Sequence, residues 1–438
     1  MARPAGRSGY GFTVEDVGFL RSAAGEQACA AADELALTEA TLLADLSRLR
    51  RGWGDRAVAA AETVRLRRRA VPKFGPGAAR WLLTETALQQ GTPRRVAEHR
   101  AARLAGTGVH DLTCSIGADL AALAGGRATV VGSDRDPVRV AMAAHNLAES
   151  GWPARVFLAD AVTVTTRGLL GYADPARRDG TGRRITSADT VPSVADLDGA
   201  HAARPPVLRL PPGIDYQALD RPGEVEIVSL DGVAREAVCW PAELAGAGRR
   251  ASVLRSTGRG YQVTDAEPDE VPVAEAGEFL MDPDPAVIRA GLVRQFAGRH
   301  GLWQLDRHLA YLTGDAVPAG MRGFQVREAA PFKEKTVAGW LRRDGIGTLE
   351  ILQRGTSVVP DELRRRLRGA MTRDTTREAT LIIARVGRRP LAYWCRAWTA
   401  GDQGRRSAGV FGDPGSGLRR GPDPGKRRVS GHFPSSSA

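Results

Sequence analysis

Four aspartates stand at the ends of short apolar runs in the first half of the chain: Asp111, Asp134, Asp160 and Asp174. The runs that precede them, among them Val109-His110 and Val130-Val131, alternate with helical stretches of ten or more residues. That alternation predicts a parallel, doubly wound α/β sheet. In such a sheet ligands bind outside the carboxyl ends of the strands. Acidic side chains gathered there face a ligand, a cation or one another, so four in register predict a site.

The loop after the first strand reads Asp111-Leu112-Thr113-Cys114-Ser115-Ile116-Gly117-Ala118-Asp119. Its small residues and Gly117 allow close approach of backbone to a ligand. It lacks the successive glycines that admit a pyrophosphate, which disfavours a nicotinamide oxidoreductase. A leading acid and one glycine suit a cationic ligand without phosphate, of which S-adenosylmethionine is an example. Asp111, Thr113, Cys114 and Gly117 are then the expected cofactor loop. Asp134, closing the second strand, is suited to accept both ribose hydroxyls. Asp160, closing the third, is suited to accept from an adenine amino group. The alternative makes Asp134 a turn residue and Asp160 a helix cap. Asp136-Pro137 reads as an N-cap followed by the first helical position.

The elements around these residues follow from periodicity. Apolar positions at three- and four-residue spacing predict helices over 13–70, with Asp33 and Thr38 as candidate caps. Val71 to Gly77 reads as a loop from its Pro and Gly content. Helices are expected at 78–89 and 93–105 and a strand at 168–174. Strands at 207–210, 225–230 and 251–254, with Asp231-Gly232 as a turn, suggest an antiparallel addition to the sheet edge. The expected organisation is a disordered N-terminus at 1–12, a helical extension at 13–77 and an α/β domain at 78–261. A linker at 262–275, a second, smaller α/β domain at 276–398 and a disordered tail at 399–438 complete it. The second domain is read as a helix at 285–299, strands near 323–327, 348–352 and 379–386, and helices at 333–343 and 360–368.

The 438 residues suffice for about two or three domains. With 42% hydrophobic and 26% charged residues the chain is neither fibrous nor wholly disordered. It holds no run long enough to span a membrane and no apolar leader, so a cytoplasmic protein is expected. Its four scattered cysteines argue against a disulfide framework, and no metal site is expected. The net charge of +12 is carried mostly by arginine, which suits phosphate recognition and an RNA partner; a solvated basic surface accounts for it equally. Phe324, Phe332 and Trp340, interleaved with Arg327, Lys333, Lys335, Arg342 and Arg343, suit RNA. The alternative is an amphipathic helix whose Trp340 and Leu341 face the core.

Thr92-Pro93-Arg94-Arg95, Asp111 to Gly117, Gly132-Ser133-Asp134-Arg135-Asp136-Pro137 and Ala144-His145-Asn146 together resemble the class I methyltransferases. Within that class the resemblance is to the RNA cap guanine-N2 (trimethylguanosine synthase-like) branch. Asp282 to about Arg396 resembles the THUMP-like domain that follows this domain in actinobacterial proteins. The resemblance implies a seven-stranded Rossmann-like sheet, S-adenosylmethionine as cofactor and RNA as substrate. It also implies an acid-Pro-Pro-aromatic motif after the fourth strand, whose acid and first proline hold the target amine and whose aromatic stacks on the base. This chain has Asp174-Pro175-Ala176-Arg177-Arg178, keeping the acid and first proline as the expected catalytic pair. Stacking must then come from elsewhere, with Tyr172 and Arg177 as candidates. A thiolate route is disfavoured, because Cys239 reads as a strand interior. The expected function is methylation of a base nitrogen in RNA; the alternative is a non-catalytic RNA-binding or assembly factor retaining the fold. The sequence leaves the oligomeric state open.

Overall fold

A computed structural model describes residues 10–126, 129–152, 155–177 and 190–398. The expectations for the 399–438 tail and for Arg178 lie outside these residues, as do residues 1–9 of the expected N-terminal segment.

Four helices come first: α1 (Val14–Leu20), α2 (Ala23–Asp33), α3 (Leu42–Trp53) and α4 (Arg56–Phe74). Thr13 and Asp16 start α1 by a reciprocal capping box, and the Ser22 hydroxyl caps α2. The expected caps differ. Asp33 is the last residue of α2, and Thr38 bonds Thr41 in the connection. Leu35 and Leu37 lie in that connection, buried, and the next helix begins only at Leu42. The loop expected from Val71 is also absent, since α4 continues through Pro72. Phe74 packs on Trp81 with ring centroids 5.7 Å apart, and Lys73 Nζ donates to the carbonyls of Leu88 and Gln89. Tertiary contacts thus hold the last turn that proline weakens.

After a short 3-10 turn at Pro76–Arg80 come α5 (Glu85–Gln90) and α6 (Arg94–Arg103). The α/β alternation follows as β1 (Val109–Asp111), α7 (Ala118–Ala124), β2 (Val130–Asp134), α8 (Pro137–Glu149), β3 (Arg155–Leu158) and β4 (Leu170–Ala173). A two-stranded ribbon of β5 (Ala176–Arg177) and β6 (Thr190–Val191) leads to α9 (Val194–Ala200) and β7 (Val207–Leu210). Then come β8 (Glu224–Leu230), β9 (Val233–Trp240), β10 (Arg249–Leu254) and β11 (Tyr261–Thr264). The described residues form one sheet in the order β11-β10-β8-β9-β7-β4-β1-β2-β3. Strands β3, β2, β1, β4 and β7 are parallel, and β9 runs antiparallel between β7 and β8. Asp231 and Gly232 make the expected tight turn, with φ of 51° and 76°. Nine strands replace the expected seven, because β10 and β11 extend the edge. Residues 262–264 of the expected linker are therefore sheet.

The remainder begins with β12 (Phe279–Met281), then α10 (Pro285–Arg289) and α11 (Val293–Arg299), where one helix was expected. Gly291, at φ 69°, breaks the run. Next are β13 (Trp303–Gln304), β14 (Leu312–Gly314), β15 (Gly323–Pro331), α12 (Glu334–Asp344) and β16 (Thr348–Arg354). The chain continues as α13 (Pro360–Leu367), β17 (Glu378–Val386) and β18 (Arg389–Trp398). Seven strands form a second sheet, β13-β14-β12-β15-β18-β17-β16. Trp340 stacks on Trp394 inside this unit, with Leu341 and Phe324 buried. The amphipathic-helix alternative therefore holds for Trp340. No helix among the described residues is long and apolar enough to cross a membrane.

Two packing relations bear on the site. Ile116 and Met142 belong to the apolar cluster filled by α1–α4, so the helical extension packs against the loop after β1. Ala286, Val287, Leu292 and Phe296 share a cluster with Ile227, Ala251, Val253 and Val263, so α10 and α11 cover the first sheet.

Asn146 on α8 ties three of these pieces together. Its Oδ1 accepts the Leu82 N–H at 2.7 Å, and its Nδ2 donates to the Leu82 and Ile116 carbonyls, each at 2.9 Å. It is fully buried. Asn146→Ala strips partners from three backbone groups, at about 1–3 kcal/mol each where they stay buried. A loss of at least about 3 kcal/mol is expected, read by urea unfolding. A loss below about 1 kcal/mol would show that water replaces the bracket.

Candidate active site

The carboxyl ends of β1, β2, β3, β4 and β7 open onto a cavity of about 1020 Å³. Its wall includes Asp111, Thr113, Cys114, Asp134, Asp160, Asp174 and Pro175. Seven of the eight residues expected at the site thus meet. Gly117 does not line it. This residue starts α7 at φ 80°, and a Cβ there would stand 3.3 Å from that of Ala143. The glycine lets the loop lie against α8.

Asp111 is 1% exposed, and its Oδ1 accepts the Thr113 N–H at 3.2 Å. Burial, reinforced by the nearby Asp119 charge, raises its carboxyl well above the usual range. The loop then takes a left-handed turn at Ser115, φ 48°, an uncommon conformation for a residue with a Cβ. Asp134 holds it: Oδ2 accepts the Ser115 N–H at 3.0 Å and Oδ1 accepts the Asp136 N–H at 2.9 Å. Asp134 is therefore both a cavity wall and the pin of the loop, at 8% exposure. Asp160 is exposed, and its Oδ1 also receives the Val162 N–H at 3.1 Å, so it caps a turn as well as lining the cavity. Burial, with the Asp111 and Asp134 charges, raises the Cys114 thiol well above its ordinary value. Cys114 is a neutral lining group. Cys239 lies inside β9 as expected, its thiol pushed up by burial to about 11.

At the other end of the cavity the Thr113 hydroxyl accepts the Asp174 N–H at 2.7 Å, joining the loops after β1 and β4. Asp174 remains about one-third exposed and is ion-paired to Arg209 of β7. Burial raises its carboxyl, Arg209 opposes that, and Asp119 adds to it. Arg209 Nε also donates to Glu236 Oε2 at 3.0 Å. Behind it Arg100 of α6, 1% exposed, donates to Asp119 at 3.1 Å and to the Tyr172 hydroxyl. Tyr172 donates to Asp119 at 3.0 Å and is 1% exposed. It belongs to this buried network, so it is no platform for a base. Burial would raise Asp119, but Arg100 and Arg209 hold it below the usual range.

Arg100, Asp119, Arg209 and Glu236 escaped the sequence reading. Signals existed. Arg100 shares its helix face with Val96, Ala97 and Leu104, and Arg209 interrupts an otherwise apolar strand. With 58 arginines in the chain such signals are diluted.

Two segments match known families. Residues 321–397 match the family described as THUMP domain-like, and residues 13–70 match a domain of unknown function (DUF8688). The chain is 46% identical over 362 residues to an uncharacterized S-adenosylmethionine-dependent methyltransferase of Mycobacterium tuberculosis H37Rv, covering 80% of this chain and 99% of that protein. The same figures hold for its counterpart in strain CDC 1551. The crystal structure of a Porphyromonas gingivalis W83 protein described as a methyltransferase matches with a TM-score of 0.65 at 21% identity. That match covers 85% of this chain and 99% of that one, and establishes the shared fold. The Rossmann-like sheet order, the acid-lined cavity and the extent of the mycobacterial match together place this chain in the S-adenosylmethionine-dependent methyltransferases, with a THUMP-like domain at its C-terminal end.

Proposed function

We propose that this methyltransferase modifies a base nitrogen in RNA, in the manner of the trimethylguanosine synthase-like branch. The carrying observation is that Asp174-Pro175 lies on the cavity wall shared with Asp111, Asp134 and Asp160. S-adenosylmethionine supplies a methyl group on a positively charged sulfonium. The donor set suits it: a buried acid at the end of β1, a second acid at the end of β2, apolar Ile116 and no phosphate-cradling glycine loop. Asp111 faces the ammonium, Asp134 the ribose and Asp160 the adenine, with Thr113 and Cys114 completing the wall. Gly117 serves the loop by packing.

Asp174 accepts a hydrogen bond from the target amine and steadies the positive charge that grows on nitrogen, with the Pro175 carbonyl as a second acceptor. Thr113 fixes the Asp174 backbone, and Arg209 holds its carboxylate in one orientation. An amine nucleophile and a sulfonium need alignment above all. RNA is supported by the arginine-rich charge of +12 and by the THUMP-like domain. The Arg209 pair and the missing aromatic favour, as a second reading, a factor that binds RNA without turning over.

The deciding experiment uses methyl-labelled cofactor, RNA from a strain lacking the protein, and nucleoside analysis. Wild type should label one nucleoside. Asp174→Asn should lose roughly 10²–10³-fold in turnover, with cofactor affinity within a few-fold. Label-free RNA would favour the binding factor, and full activity in the variant would remove Asp174 from the mechanism.

Asp134→Asn should weaken cofactor binding roughly 10- to 100-fold, since hydrogen bonds to a charged acceptor contribute about 1.5–3 kcal/mol. Calorimetry showing equal affinity would displace the ribose site.

Proton linkage tests Asp111. Its acid is raised in the free protein by burial and the Asp119 charge. A bound cation favours the ionised form, so binding must release a proton, and affinity must climb as pH rises toward that raised value. Titrations in two buffers of different ionisation enthalpy give the proton count. A count of zero contradicts the assignment.

A further inference from the structure

Strand β9 is irregular where it passes the cavity. Val228 of β8 faces Glu236, but the next residue, Ser229, faces Ala234, so Arg235 is an additional residue in β9. A bulge interrupts strict alternation and re-aims a side chain. Glu236 turns inward to Arg209, while the exposed Arg235 lines the same cavity as Asp174, Pro175 and Arg209.

Arg235 differs from Arg209 in its partners. Arg209 is neutralised by Asp174 and Glu236. Among the described residues no carboxylate pairs with Arg235. Asp231 feels its charge, yet that carboxylate is engaged by the Ser256 N–H at 2.8 Å and the Ser256 hydroxyl. Lys73 adds a second cation: its Nζ donates to the carbonyls of Leu88 and Gln89 and lies 5.4 Å from the centroid of the Phe74 ring, and among the described residues no carboxylate pairs with it. Burial and the charges of Arg209 and Arg235 push its ammonium down to about 8, which places it in their common field. Segment Ala87 to Thr92, which Lys73 holds, supplies the adjoining cavity wall.

The substrate end therefore lacks an aromatic directly after Asp174-Pro175, has Tyr172 withdrawn into the buried network, and offers a guanidinium that no carboxylate among the described residues pairs. A guanidinium fork binds phosphate oxygens in pairs. We propose that Arg235, set into the cavity by the β9 bulge and backed by Lys73, anchors a backbone phosphate of the substrate RNA beside the nucleotide presented to Asp174. This rests on the RNA reading above. It assigns the positioning that base stacking supplies in the related motif to an ionic contact on the sugar-phosphate chain.

The test compares wild type with Arg235→Gln, a variant of an exposed residue. With RNA as substrate, KM should rise about tenfold or more while kcat stays within about twofold. The slope of log KM against log salt should become shallower by about 0.7, the value for one contact on a single strand. Cofactor affinity should not change. An unaltered KM and salt slope overturn the proposal. So does a parallel loss of cofactor affinity, which would mark Arg235 as structural. If wild type methylates no RNA, the catalytic reading falls and the anion site is judged separately with inorganic pyrophosphate. Calorimetric binding to wild type that Arg235→Gln abolishes upholds the site. Equal binding, or none to either protein, overturns it.

Discussion

Two guanidinium groups and four carboxyl groups share the space beneath the cavity floor, and their placement governs the site. Arg100 arrives on α6, Asp119 on α7, Asp174 after β4, Arg209 on β7 and Glu236 on β9, with Asp111 at the end of β1. Charges taken out of water are tolerated only where partners and hydrogen bonds meet them closely. All of the contributing elements must therefore sit in register before the whole set is compensated. The antiparallel insertion of β9 beside β7 is what brings Glu236 to Arg209. The four acids outnumber the two cations that face them. Asp119 is held below the usual carboxylate range, while burial raises Asp111, Asp174 and Glu236. The cavity floor is thus short of positive charge, a fitting ground for a ligand that carries it.

Legibility in the sequence tracked how local each signal was. The strand-end acids, the Asp231-Gly232 turn and the alternation of β1 to β4 depend on neighbours within a few residues, and the structure reproduces them. The buried network does not, because nothing adjacent to Arg100 announces Glu236, 136 positions away. Pro72 reads as a helix breaker for a related reason: the contacts that keep α4 helical come from Trp81, Leu88 and Gln89. Trp340 was ambiguous because a helix carrying arginine on one face and tryptophan on the other fits both RNA and a core. Its stacking on Trp394 is a tertiary fact.

The segments that flank the sheet are not appendages. Asn146 binds the Leu82 backbone and Ile116 with one amide, so the segment that follows the helical extension, α8 and the loop after β1 share a support. At the opposite edge α10 and α11 bury Ala286, Val287 and Phe296 against strands β8 to β11. The matched THUMP-like segment begins only at residue 321, after these helices, and their cluster also takes in Phe279, Met281 and Leu312 of the second sheet, so α10 and α11 pack on both sheets.

The support that α1–α4 receive from Ile116 and Met142 also sets an order of events on the ribosome. The apolar side that these helices turn toward Ile116 and Met142 lacks that cover until α8 has been made. At roughly 5–20 residues per second, Met142 emerges several seconds after Phe74. For that interval the nascent bundle exposes a surface that chaperones or other nascent chains can engage. Its maturation waits on the loop that it will later hold in place.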